Sequence, residues 1–92
     1  MEHPAPDLPA IALLTETIAR YPEEPVNYVL RGEAWLSAGE TGRAAADFEV
    51  ARSLARRRFA ESAWGYAAQA YFDRAEAGLA ACGRPLAPDN SV

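Results

Sequence analysis

The chain has 92 residues and a mass of 9.9 kDa, so it makes one small domain whose thin core buries roughly 60% of the surface that the unfolded chain exposes. Nine basic residues against thirteen acidic leave a net charge of −4, which argues against a nucleic-acid binder, since such a protein needs a concentrated positive face to displace counterions. Half of the residues are hydrophobic, which excludes wholesale disorder, and no run approaches the roughly 18 unbroken apolar residues of a membrane span.

The opening segment, Met1 to Asp7, carries acid and proline in place of a basic and then apolar leader. No secretory signal and a cytoplasmic location are therefore expected. Cys82 is the single cysteine and cannot form an internal disulfide. All nine basic residues are arginine, and alanine occurs twenty-one times, a composition that favours helices and lets them approach closely.

In chain order, residues 1–7 read as a loose arm. Asp7 is a suitable N-cap, with Pro9 in the first turn, and Ile11, Leu14, Ile18 and Tyr21 recur at spacings of three and four, the stripe of an amphipathic helix. Pro22 ends that helix and Pro25 opens the next, whose stripe passes Tyr28, Trp35 and Leu36 and closes at Gly39. Thr41 is a fair N-cap for a third helix carrying Ala44, Ala45, Phe48, Ala51 and Ala55 and running into Arg56, Arg57 and Arg58. A fourth stretch begins near Glu61 or Ser62, carries Trp64, Ala68, Tyr71 and Phe72, and ends at Gly83 with Pro85 behind it. Between Thr41 and Trp64 the only Gly or Pro is Gly42, so a single long helix is the alternative there. The expected layout is an arm over 1–7, an all-α domain of about four antiparallel helices over 8–83, and a tail over 84–92.

The helices repeat. Ala10, Leu14, Thr17 and Pro22 precede Ala44, Phe48, Ala51 and Arg56 by 34 residues, and Tyr28, Gly32 and Trp35 precede Trp64, Ala68 and Tyr71 by 36. The span from Pro25 to Arg58 thereby resembles one complete tetratricopeptide repeat, with Tyr28, Gly32, Trp35, Gly39, Ala44, Phe48 and Ala51 in that family's pattern. Helices to either side resemble half-repeats. Arg31 stands where the family usually has leucine, and Arg56 where a proline would break the second helix. The physical reading agrees: Gly32 and Ala44 are small where two helices cross, and Phe48, Tyr28 and Trp35 fill the wedge around that crossing.

The resemblance implies a short right-handed solenoid and a non-enzymatic protein-interaction module: an adaptor, assembly factor or accessory subunit. It would present a concave face of Val26, Val29, Glu33, Leu36 and Ser37 together with Gly65, Gln69, Phe72 and Asp73. The partner would be a protein or peptide segment with an apolar face. Self-association of exposed repeat flanks is the alternative. Val29 and Glu33 replace the lysine and asparagine with which chaperone-docking relatives grip a carboxylate, so that activity is not expected.

Nothing in the chain suggests catalysis. His3 is the only histidine, and Cys82 has no partner cysteine, which leaves too few ligands for a usual zinc site. Glu23 and Glu24 suit the positive end of a helix dipole. No metal, cofactor, nucleic acid or membrane insertion is expected. Arg52, Arg56, Arg57 and Arg58 read either as a solvated helix end or as a patch for an acidic partner.

Overall fold

Prolines and glycines set the limits of the helices. The computed structural model describes residues 8–59 and 65–83, and these form α1 (Leu8–Arg20), α2 (Pro25–Ser37), α3 (Thr41–Phe59) and α4 (Gly65–Ala81). The arm, the tail, Asp7 and Trp64 lie outside the described residues. Pro25 occupies the first turn of α2, where a missing N–H costs no helical hydrogen bond. The Tyr28 hydroxyl donates to the Pro22 carbonyl at 2.9 Å and ties the turn between α1 and α2. Gly39 and Gly83 follow α2 and α4 with φ of +82° and +75°, the left-handed backbone that ends a helix and that other residues adopt at a cost of roughly 1–2 kcal/mol. Thr41 is not the cap of α3. It is the first helical residue, and the Glu40 carbonyl accepts the first helical bond, from Ala44 N–H at 3.0 Å.

Each helix runs antiparallel to the one before it. Thr15 meets Arg31 across α1 and α2, Glu24 meets Arg58 across α2 and α3, and Arg56 meets Phe72 across α3 and α4. Because α4 folds back along α3, the alternative of one long helix from Thr41 onward is excluded. Both α2 and α4 pack on α3 and touch each other, whereas among the described residues α1 packs on α2 alone.

The core lies where α2, α3 and α4 meet. Val29, Ala44, Phe48, Ala51 and Ala75 are fully buried, with Leu79 close behind. Phe48 is the largest of them, and two glycines admit its ring. A Cβ placed on Gly32 of α2 would stand 2.8 Å from Phe48 Cε1, and one placed on Gly78 of α4 would collide with the same ring at Cζ. Gly32, Ala44, Phe48 and Ala51 thus sit at the centre, as the helical pattern indicates. Tyr28 and Trp35 do not: they are half-buried at its margin, where the Arg43 guanidinium lies 5.0 Å over the Trp35 ring. Tyr21 also departs from expectation and is 56% exposed, because among the described residues α1 packs against α2 only and Tyr21 falls at the turn between them.

Removing the Phe48 ring (Phe48→Ala) is expected to cost about 3–5 kcal/mol. Gly78→Ala is expected to cost about 1–3 kcal/mol by overpacking, even though alanine is the better helix former by about 1 kcal/mol. Urea denaturation checks both. An unchanged midpoint for Gly78→Ala would mean that the Phe48 ring has room to move.

Candidate functional site

Arginine on the inner side of a helix needs an acid. Arg31 projects from α2 toward α3 and forms two hydrogen bonds with Asp47, Nε to Oδ2 and Nη2 to Oδ1, both at 2.8 Å. Asp47 is buried, with its side chain only 7% exposed, so the pair is largely withdrawn from water. Arg31 also donates to Thr15 Oγ1 at 3.0 Å, and that hydroxyl donates to the Ile11 carbonyl at 2.8 Å. One side chain thus joins α1, α2 and α3. Its hydrogen bonds to Asp47 raise the guanidinium pKa further, against the opposing effect of partial burial, so its charge does not titrate at working pH.

The residues expected on one concave face separate in the structure. Val29 is fully buried in the core and is not available to a partner. Leu36 is half-buried and packs against that core. Val26 and Glu33 remain partly accessible on α2, and Ser37 is exposed. On α4, Gln69 and Asp73 are exposed and bond to each other at 2.9 Å. Phe72 lies on the α3 side, with the Arg56 guanidinium 5.8 Å over its ring. From α4, Arg74 reaches α2 and donates twice to Glu33, at 2.8 and 3.3 Å. Successive helical residues stand 100° apart, so Arg74 points well away from Asp73 and nearly opposite Phe72. Gly65 is the first residue of α4, and its exposure lies outside the described set.

The arginine run is largely engaged within the chain. Arg52 binds Glu49 at 2.8 Å and Glu76 at 3.1 Å, and the hydrogen bond to Glu76 is the main cause of its raised pKa. Arg58 binds the Glu24 carboxylate at 3.0 Å and the Glu23 carbonyl at 3.3 Å. Glu24 precedes α2 without capping it by its side chain; the carboxylate goes to Arg58. With Arg56 over Phe72, Arg57 is the member of the run that is simply exposed.

Among the described residues, an accessible concavity lies between α1 and α2. It is an open cleft of about 330 Å³ lined by Ala10 and Leu14 from α1 and by Leu30, Glu33, Ala34 and Ser37 from α2. Its floor is aliphatic, with one carboxylate and one hydroxyl on the α2 bank. Leu30 is 39% exposed there, and Leu13, beside Leu14 on α1, is 63% exposed. Glu33 and Ser37 belong to the face expected from the sequence; Ala10, Leu14 and Leu30 do not. Cys82 packs half-buried against the core. Among the described residues no three His, Cys, Asp or Glu side chains gather where they could hold a metal ion, and no helix is long and apolar enough to cross a membrane.

These elements define an all-α domain of four helices with antiparallel neighbours and an open apolar cleft between the first two. No protein-family model, curated protein or solved structure matches the chain.

Arg31→Leu leaves the Asp47 carboxylate buried without its cation and is expected to cost about 3–5 kcal/mol, as is Asp47→Ala, which strands the cation. The double variant Arg31→Leu with Asp47→Ala is expected to recover most of that loss. A double-mutant cycle by chemical denaturation measures the coupling, and additive single effects would mean that the pair contributes no specific interaction.

Proposed function

We propose that this chain is a non-enzymatic protein-interaction module that receives an amphipathic helix or an apolar peptide segment in the cleft between α1 and α2. The observation that carries the reading is the cleft itself: an aliphatic floor of Ala10, Leu14, Leu30 and Ala34 with Glu33 and Ser37 along one bank. A helix seated in a groove uses apolar anchors one turn apart for affinity and polar groups at the rim for orientation. The register of Tyr28, Gly32, Trp35, Ala44, Phe48 and Ala51 supports a tetratricopeptide-like module of this kind, a short helical-repeat adaptor, assembly factor or accessory subunit. The concave side of such an array would be the α2 side carrying Val26, Glu33 and Ser37. Among the four basic residues considered for an acidic partner, the ion pairs of Arg52 and Arg58 favour an internal role.

Selection from a displayed library of amphipathic helical peptides tests this directly. Binders are expected, and Leu30→Asp is expected to weaken them at least roughly ten-fold, the effect of losing one buried leucine contact. Far-UV circular dichroism should stay unchanged, because Leu30 is partly exposed. Binders indifferent to Leu30 and Ser37, or no binders at all, would overturn the reading.

A further inference from the structure

We infer that the helix seated on this cleft is α1 of a second copy of the chain, laid antiparallel along the first so that two copies pair about a two-fold axis near Thr17. The inference rests on the reading of the cleft as a helix-binding groove and names the helix.

Three observations converge on it. First, among the described residues α1 packs on α2 alone, and its side away from α2 carries Leu13 at 63% and Tyr21 at 56% exposure. Tyr21 continues the helical turn, since its N–H donates to the Thr17 carbonyl at 2.8 Å. Both side chains stand on the flank of α1 that borders the cleft, because Ala10, Leu13, Thr17 and Tyr21 follow one another at spacings of three and four, and Ala10 lines the cleft. Second, this stripe reads large, small, large around Thr17, with Leu13 four residues before it and Tyr21 four residues after. An antiparallel copy centred on Thr17 therefore sets each Leu13 against the other copy's Tyr21. That is the self-complementarity a two-fold interface requires.

Third, the charges agree. Glu16 and Arg20 are the charged residues of α1, both exposed and four residues apart, on the flank of the stripe that faces away from α2. In an antiparallel pair about Thr17, Glu16 of each copy comes within a half-turn of Arg20 of the other, giving two opposite-charge contacts per dimer. The chain carries a net charge of −4, yet Glu16 and Arg20 cancel on α1 and the cleft carboxylate of Glu33 is paired with Arg74, so two copies meet here without the repulsion their total charge would otherwise impose. Ala10 and Leu14 on α1, with Leu30 across the cleft, supply the floor beneath the second α1.

The test is sedimentation velocity on the full chain over a concentration series, with four variants that change only exposed side chains. The wild type is expected to form a dimer as concentration rises, and Leu13→Asp to remain monomeric throughout. Glu16→Arg and Arg20→Glu, each placing like charges at both contacts, are expected to weaken the dimer roughly ten-fold. The double variant Glu16→Arg with Arg20→Glu is expected to restore it. A wild type monomeric at every concentration overturns the inference, as does a dimer indifferent to Leu13→Asp, or a charge swap that fails to restore pairing. Peptide selection on the monomeric Leu13→Asp chain separates this from the broader reading. Binders that still depend on Leu30 would leave the groove standing with a different occupant, and their absence would remove the groove as well.

Discussion

The fold turns on a single aromatic ring. Phe48 is fully buried, and it is held between the glycines of two helices, Gly32 on α2 and Gly78 on α4. Neither glycine is needed for its backbone conformation, since both lie within helices where alanine would be intrinsically better. They are needed because the ring occupies the volume a Cβ would take. This contact sets how closely α2 and α4 approach α3, and so brings the two helices near enough to each other for Arg74 to reach Glu33. With a core this thin, the remaining interior positions are filled largely by alanine, from Ala44 and Ala51 to Ala75, and close approach of backbones replaces bulk.

A second constraint fixes what the ring leaves open. Small apolar side chains pack well in more than one register, so an alanine-rich interface specifies helix position weakly. The Arg31 fork has a planar, two-point geometry that accepts one register of α3 only, with Asp47 opposite both nitrogens. Its third contact, to Thr15, carries the same restriction to α1. Asp47 and Phe48 are adjacent in the chain, so the polar fork and the apolar ring locate α3 against α2 at the same turn. One supplies burial and the other supplies register.

What could be read from the chain follows from which features are local. Pro22, Pro25 and Gly39 act on their own segments, so the limits of α1 and α2 were legible, and Gly32 and Phe48 stood out because a glycine and an aromatic at those spacings mark a crossing. Gly78 was not legible: it faces Phe48 only because of how far α4 slides along α3, a tertiary relation thirty residues apart that no local rule specifies. The position of α4 also bears on the expected binding face. With α4 in its actual position Arg74 meets Glu33, while Gln69, Asp73 and Phe72 turn elsewhere. Analogy of position puts Val29 on the surface, whereas it is fully buried in the core cluster. The pairing of Arg31 with Asp47 is a tertiary relation sixteen residues apart that no local rule specifies.

The distribution of exposed apolar side chains gives the molecule a direction. Isolated exposed hydrophobics are ordinary on soluble proteins, so their number carries little meaning. Their placement carries more. Among the described side chains of α3, Val50 is the large apolar one exposed, whereas Leu8 and Leu13 lie on α1, Tyr21 continues it, and Leu30 faces it across the cleft. The charged side chains are arranged the opposite way. Ion pairs join α2 to α3, α3 to α4 and α2 to α4, through Arg58, Arg52 and Arg74. Polar rims closed by such pairs surround the three-helix core, while the α1 edge joins it through Arg31, Thr15 and an aliphatic seam left open on one side. Among the described residues, the physical cost of exposed leucine falls at the α1–α2 edge, where an incoming helix would remove it.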